Sequence, residues 1–383
     1  MTLQPLRDHN HTMTPLPALD PSIRSRQVPN VNGLEMHILE AGFEAGPRPV
    51  VLLLHGFPEL AYSWRKVMPA LAAAGYHVIA PDQRGYGRTT GWNAAYDGDL
   101  GSYHYFNLVR DQLALLAALG IPQVHAVVGH DFGSPVAAWC AVTRPDVFKA
   151  VALMSAPFGG VPKWPGAAAA TPNLHEQLAA LSPPRLHYQR FYATREADAD
   201  MRTCPQGLHA FLRAYYHVKS ADWPGNTIYP LSAMTGAELA KLPEYYVMQA
   251  DRGMAATVAP HMPSPQQIAD CAWLPDAELA VYAAEYARNG FQGGLQWYRS
   301  AGHPAHQAQL LLFSGRRIDI PACFIAGASD WGVYQRPGDF EAMQAAACAD
   351  LRGCHLVPGA GHWVQQEQPD AVSRHLIDFL ATV

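Results

Sequence analysis

The chain has 383 residues, 49% of them hydrophobic and 15% charged, with a formal net charge of −5. That length holds one large α/β unit or a core with an inserted second unit, and the apolar share excludes a disordered polymer. A mildly acidic balance gives no electrostatic reason to bind nucleic acid or an anionic membrane. The cysteines, Cys140, Cys204, Cys271, Cys323, Cys348 and Cys354, form no CxxC pair and no secreted-scaffold spacing, so reduced thiols in a cytoplasmic protein are expected. No apolar run approaches the roughly 18 residues of a membrane span, and the N-terminus lacks a signal-peptide pattern.

Residues 1–28 are polar and rich in proline (Pro5, Pro15, Pro17, Pro21) and read as an arm lying on the surface. Glu35 to Ala41 follows an Asn32-Gly33 turn and predicts a strand. Val50 to Leu54 is a continuous apolar run, as in a strand buried on both faces of a parallel sheet. A helical stretch from Trp64 to Ala74, interrupted or restarted at Pro69, leads to a second buried strand, Tyr76 to Ala80. Asn107 to Leu119 has the apolar spacing of a helix. Val124 to Val128, a helical run from Pro135 to Cys140 and Ala150 to Met154 complete an alternation that means a mostly parallel, doubly wound sheet. The alternation then stops. From residue 157 to 299 no buried strand stands out, only short helical pieces broken by Pro172, Pro183-Pro184, Pro205, Pro224, Pro243 and Pro263, with a low-complexity patch at Ala167 to Ala170. This segment is expected to be a helical cap inserted into a core made of 29–156 and 300–383. Sheet pattern returns at Ile320 to Ala326, followed by helix Asp339 to Ala349, strand Gly353 to Val357 and helix Pro369 to Leu380.

Ligands of open α/β sheets sit at the carboxyl ends of the strands. The strand at Val124 runs into Gly129-His130-Asp131-Phe132-Gly133, a strand, sharp turn and helix of the kind called a nucleophile elbow. Asp131 would also serve as an ordinary helix cap, but capping explains neither flanking glycine. Two further strand ends carry Asp330 and His362, giving the chain order nucleophile, acid, histidine. Alone, each would pass as a turn aspartate or a loop histidine. His130 reads as a buried structural residue, and so does His55. His303 and His306 lack a carboxylate cluster, so no metal is expected, and no Gly-rich phosphate loop implies a cofactor.

From His55-Gly56-Phe57-Pro58-Glu59, Arg84-Gly85-Tyr86-Gly87, Gly129-His130-Asp131, Asp330 and Gly361-His362-Trp363, the chain resembles the soluble epoxide hydrolases of the α/β-hydrolase fold over nearly its whole length after residue 28. His187-Tyr188-Gln189-Arg190-Phe191-Tyr192 resembles the segment bearing one lid tyrosine of that family, and Gly290 to Arg299 the segment bearing the other. The resemblance implies Asp131, His362 and Asp330 as the catalytic triad and Tyr298 and Tyr188 as lid phenols, with Tyr192 the other candidate for the first. It further implies oxyanion N–H groups from Phe57 and Phe132, and substrate contacts from His55, Pro58, Gln189, Tyr192, Trp297 and Trp363. Phe132 departs from the tryptophan of the mammalian enzymes.

A carboxylate opening a strained epoxide gives an ordinary alkyl ester that water then hydrolyses, whereas the same carboxylate on an acyl ester would give a mixed anhydride. Aspartate at the elbow therefore argues against a plain esterase. The expected partners are a small-molecule epoxide and water, with oligomeric state open. A haloalkane or haloacetate dehalogenase with the same triad is the rival enzyme, but Phe57 and Phe132 offer a departing halide no side-chain N–H. A non-catalytic binding protein on this fold would not need a complete triad.

Overall fold

The structure, a computed structural model, describes residues 16–17, 19–44, 46–164 and 173–383. Among the described residues, eight strands form one sheet, in the order Ile23–Val31, Leu34–Ala41, His77–Pro81, Val50–Leu54, Ala126–His130, Val151–Met154, Ile318–Gly327 and Cys348–Val357. They are β1 (Ile23–Val31), β2 (Leu34–Ala41), β3 (Val50–Leu54), β4 (His77–Pro81), β5 (Ala126–His130), β6 (Val151–Met154), β9 (Ile318–Gly327) and β10 (Cys348–Val357), while β7 (Arg185–His187) and β8 (Val247–Gln249) lie elsewhere. β1 and β2 pair antiparallel, as do β2 and β4, and every later pairing in the sheet is parallel. This is the doubly wound sheet the alternation predicts.

The apolar runs lie in the middle of the sheet because both of its faces are covered. Leu52, Leu54 and Val127 join one core layer, while Val51, Leu53 and Val128 join the other, following the two-residue period of a strand. Helix α1 (Met68–Ala73) carries a proline in its first turn, where a missing N–H costs nothing. The predicted Trp64–Ala74 helix is therefore split, with Ala61–Trp64 forming a separate 3-10 turn. Helix α2 (Tyr105–Ala118) and helix α3 (Gly133–Thr143) pack together on the first layer. The last helix, Pro369–Leu380, presents Val372, Leu376, Phe379 and Leu380 to the second.

Three expectations need correction. The arm ends sooner than residue 28, since Ile23 already pairs with Ala41 at the sheet edge. Residues 1–15 of that arm, Pro172 and the Ala167–Ala170 patch lie outside the described residues. The 157–299 segment is not free of strands: β7 and β8 pair antiparallel, and three residues each were too short for their alternation to register. The Asp339–Ala349 helix stops at Ala342, passes through a wider turn over Met343–Ala347, and enters β10 at Cys348.

Packing leaves no room for side chains where β5 meets α3. A Cβ on Gly129 would overlap the Gly133 carbonyl, and one on Gly133 would overlap the carbonyls of Leu54 and His55. Between them Asp131 takes φ +50, a conformation that costs a non-glycine residue energy. Gly129→Ala should lower stability by about 1–3 kcal/mol, the usual cost of forcing atoms into a filled core. Gly302→Ala, whose Cβ would meet ordinary contacts, should change it by less than about 0.5 kcal/mol. Urea unfolding monitored by tryptophan fluorescence compares the two.

Candidate active site

Asp131 follows β5, Asp330 follows β9 and His362 follows β10, so the parallel sheet brings together three positions far apart in sequence. The Phe57 N–H donates to Asp131 Oδ1 at 2.8 Å. His362 Nε2 stands 3.2 Å from Asp131 Oδ2, close enough for an ion pair yet outside hydrogen-bond alignment. Its other nitrogen, Nδ1, is 3.0 Å from Asp330 Oδ1, which also accepts from the Gly332 N–H at 2.7 Å. The three side chains are nearly sealed from solvent, Asp131 being the most open at 7%.

That arrangement fixes the charges. Burial favours the neutral acid at Asp131, but the close contact and charge of His362 and the Lys219 ammonium outweigh it and hold the carboxyl well below its usual range. Burial likewise opposes the charge on Asp330, and the imidazolium wins again. At His362 burial pulls down, while the charge of Asp330, the close contact with Asp131 and the bond to Asp330 lift the imidazole to about 9, with Lys219 pulling down. The resting site is thus carboxylate, imidazolium, carboxylate.

The loop bearing His362 is anchored from below. His130 Nε2 approaches the His362 carbonyl at 2.7 Å, and His130 Nδ1 meets Glu59 Oε2 at 2.5 Å. Gln365 donates to Glu59 Oε1 at 2.8 Å. The structural reading of His130 agrees with these bonds, but the Glu59 hub that gathers them was not read from sequence. Glu367 clasps the same loop from the side, accepting the N–H groups of Gly361, Trp363 and Ala221.

The segment between β6 and β9 closes over the strand ends. Tyr298, in helix Gln292–Ala301, sets its ring edge-on to Phe132 at 4.9 Å and Phe57 at 5.5 Å. The Tyr188 ring centroid lies 5.9 Å from that of Tyr298, and its hydroxyl donates to Gln335 Oε1 at 3.2 Å while Gln189 Nε2 donates to it at 3.2 Å. Burial, and next the Asp131 charge, push both phenols well above 10, so each keeps its proton. Tyr192 is also buried here, but its hydroxyl donates to Tyr215 at 3.0 Å.

Several residues expected at the substrate also make hydrogen bonds within the protein. The Trp297 indole donates to the Arg84 carbonyl at 2.9 Å, and that of Trp363 to the Tyr216 carbonyl at 2.8 Å. His55 bonds Gly56 O through Nδ1 at 2.9 Å and accepts the Gln83 N–H on Nε2 at 3.1 Å, which uses both nitrogens and fits the structural reading. The Pro58 carbonyl accepts the Tyr216 hydroxyl at 3.0 Å. Phe132 stands directly before α3, where the first N–H groups of a helix have no intrahelical acceptor. Lys219 was missed altogether. Its signal was a lysine four residues after Tyr215, on the buried face of an amphipathic helix.

Comparison with known proteins places these features in a family. Residues 49–239 match the model for the alpha/beta hydrolase fold. The chain is 32% identical to epoxide hydrolase B of Mycobacterium tuberculosis, over 92% of this chain and 96% of that protein. Among solved structures, it superposes on an epoxide hydrolase from an endophytic Streptomyces with a TM-score of 0.74 and 33% identity, covering 94% of this chain and 96% of that one. Potato epoxide hydrolase I superposes with a TM-score of 0.70 and 29% identity, covering 94% of this chain and all 100% of that one.

The coupling of His362 to Asp131 is open to direct measurement. Asp131→Asn removes a negative charge beside Nε2, so the imidazole should lose its proton at a pH clearly below the value of about 9 it has here. The folded state also owes stability to this raised value, fully present below the unfolded pKa of about 6.5 and lost as pH rises through the folded one. In Asp131→Asn that alkaline loss should be smaller and complete at a lower pH. Imidazole resonances in heteronuclear NMR spectra and urea melts between neutral and alkaline pH read the two effects.

Proposed function

The chain belongs to the epoxide hydrolase family of the α/β-hydrolase fold, and from that premise we propose that Asp131 carries out the reaction as a nucleophile that becomes transiently esterified. The observation that carries this reading is the position of its carboxylate, with Oδ1 on the Phe57 N–H and Oδ2 beside His362 beneath two buried phenols. Oδ2 attacks one epoxide carbon in line and the carbon–oxygen bond of the ring breaks. The departing oxygen takes a proton from Tyr298 or Tyr188. Such general acids contribute about 10²–10⁴ in rate.

The product of this step is an alkyl ester of Asp131 with Oδ1 as its carbonyl oxygen. His362 returns the phenolate left by ring opening to its protonated form, and its neutral Nε2 then removes a proton from water, whose oxygen bonds to Cγ. Negative charge then gathers on Oδ1, already on the Phe57 N–H and close to the start of α3, where Phe132 supplies the second donor. One donor of this kind is worth about 10²–10³ in rate. The intermediate collapses by expelling the alkyl oxygen, which takes the proton held by His362 and leaves as the second hydroxyl of a vicinal diol, and the acid so formed at Asp131 returns its proton to His362. Asp330 holds the imidazole in the tautomer this needs. The helical segment between β6 and β9 serves as the cap that keeps bulk water from the strained ring. Tyr188 is the better first lid phenol, because the Asp131 charge acts on it next after burial, whereas at Tyr192 the neighbouring Tyr215 comes first and Asp131 last.

Incubation with styrene oxide should yield phenylethane-diol, and incubation with 1-chlorobutane should release no chloride above background. Chloride release without diol formation would overturn the reading. Tyr298→Phe should slow ring opening by about 10²-fold or more, within the range for a lost general acid, and leave ester hydrolysis nearly unchanged. Rapid-quench kinetics of a single turnover separate the two steps.

A further inference from the structure

Lys219 ends the helix Leu208–Lys219 on the side that carries Leu212, Tyr215 and Tyr216 into the core, and the residue is 3% exposed. Its backbone carbonyl accepts the His362 N–H at 2.9 Å. Its ammonium makes no ion pair and no side-chain hydrogen bond with any described residue. Aromatic faces surround it instead, with ring centroids of Tyr246 at 4.9 Å, Tyr215 at 5.2 Å, Tyr245 at 5.7 Å, Trp363 at 5.8 Å and Tyr188 at 5.9 Å. Aromatic rings attract a desolvated cation, but an apolar side chain would fill this place without the penalty of burying charge. A charge kept here at such cost has a task.

We propose that Lys219 is a positioning residue for the water step: its charge, caged by rings that include Trp363 next to His362, turns the imidazole into a neutral base once Asp131 is esterified. The proposal rests on the alkyl-ester reading of the site given above. Each group facing His362 has a definite part. Asp131 and Asp330 lie 3.2 and 3.0 Å from its two nitrogens. Behind it, the His130 ring lies at 5.2 Å between centroids, and His130 is paired in turn with Glu59. On its own loop Glu367, whose carboxyl burial lifts to about 7, binds the neighbouring N–H groups. From the helical segment come Lys219 and the phenols of Tyr188, Tyr215, Tyr245 and Tyr246.

Before ring opening, two carboxylates outweigh burial and Lys219, and the imidazole is protonated. Esterification deletes the Asp131 charge and its acceptor for Nε2. Asp330 then stands alone against burial and Lys219. The imidazole releases its proton, which restores the phenol that protonated the epoxide oxygen, and Nε2 is free to accept one from water. Without the Lys219 charge the imidazole would hold its proton to higher pH and the ester would persist.

The test is the pH dependence of ester hydrolysis, followed by rapid-quench mass spectrometry of the Asp131 peptide with styrene oxide, in the wild type, Lys219→Met and Lys219→Arg. In Lys219→Met the acidic limb should move up by about one pH unit, which makes hydrolysis at neutral pH about tenfold slower and lets the ester accumulate. Lys219→Arg keeps the charge and should keep the wild-type limb, a distinction that a purely structural role would not produce. A Lys219→Met limb that coincides with the wild type, or a Lys219→Arg limb displaced as far as that of Lys219→Met, would overturn the inference while leaving the alkyl-ester reading intact. No ester in any of the three proteins at any pH would overturn that reading, and the inference with it.

Discussion

The close approach of β5 to α3 governs the rest of the molecule. Gly129 and Gly133 let strand and helix backbones touch, and the turn between them forces Asp131 to φ +50. That conformation lifts the carboxylate out of the sheet toward the Phe57 N–H rather than letting it cap the helix. The strain is tolerated because the surroundings over-determine it, with the Asp131 N–H on the Met154 carbonyl and its own carbonyl accepting from Ser134. Everything reactive is then set by parallel neighbours. β6 and β9 continue the sheet beside β5, and β10 follows, so the loops after β9 and β10 deliver Asp330 and His362 to the same edge.

Charge in this buried space is balanced rather than avoided. The carboxylates of Asp131 and Asp330 face His362 and Lys219, giving two negative and two positive groups when the imidazole is protonated. Ring opening would break the balance at one point only, by neutralising Asp131, so its effect falls on the imidazole that must change state next. A second buried pair, Glu59 with His130, lies under the loop and supports it through the His362 carbonyl. On the proposed mechanism, the same fold carries one histidine–carboxylate pair that holds the site and another whose protonation changes during the cycle.

Most of this architecture was legible in the sequence because its strongest signals are local. Val50 to Leu54 and Pro369 to Leu380 were read to the residue, since buried strands and amphipathic helices announce themselves by composition and period. The elbow, Asp330 and His362 were legible from glycine spacing and chain order. The misses share one cause, which is dependence on partners distant in sequence. β7 and β8 exist because residues 185–187 and 247–249 meet in space, and neither has a pattern of its own. Trp297 and Trp363 lie within motifs, yet their indoles bond to the carbonyls of Arg84 and Tyr216, a choice made by tertiary packing. Lys219 belongs to no motif, and of the five rings around it only Tyr215 is on its own helix.

The central claim is that the carboxylate of Asp131 bonds to the substrate and is then released by water attacking its own carbon. A single turnover in water enriched in heavy oxygen, with enzyme in excess over epoxide, tests this most directly. Mass spectrometry should find the label in the peptide carrying Asp131 and none in the diol. Label in the diol, with that peptide unchanged, would mean that water opens the ring itself and would contradict the account.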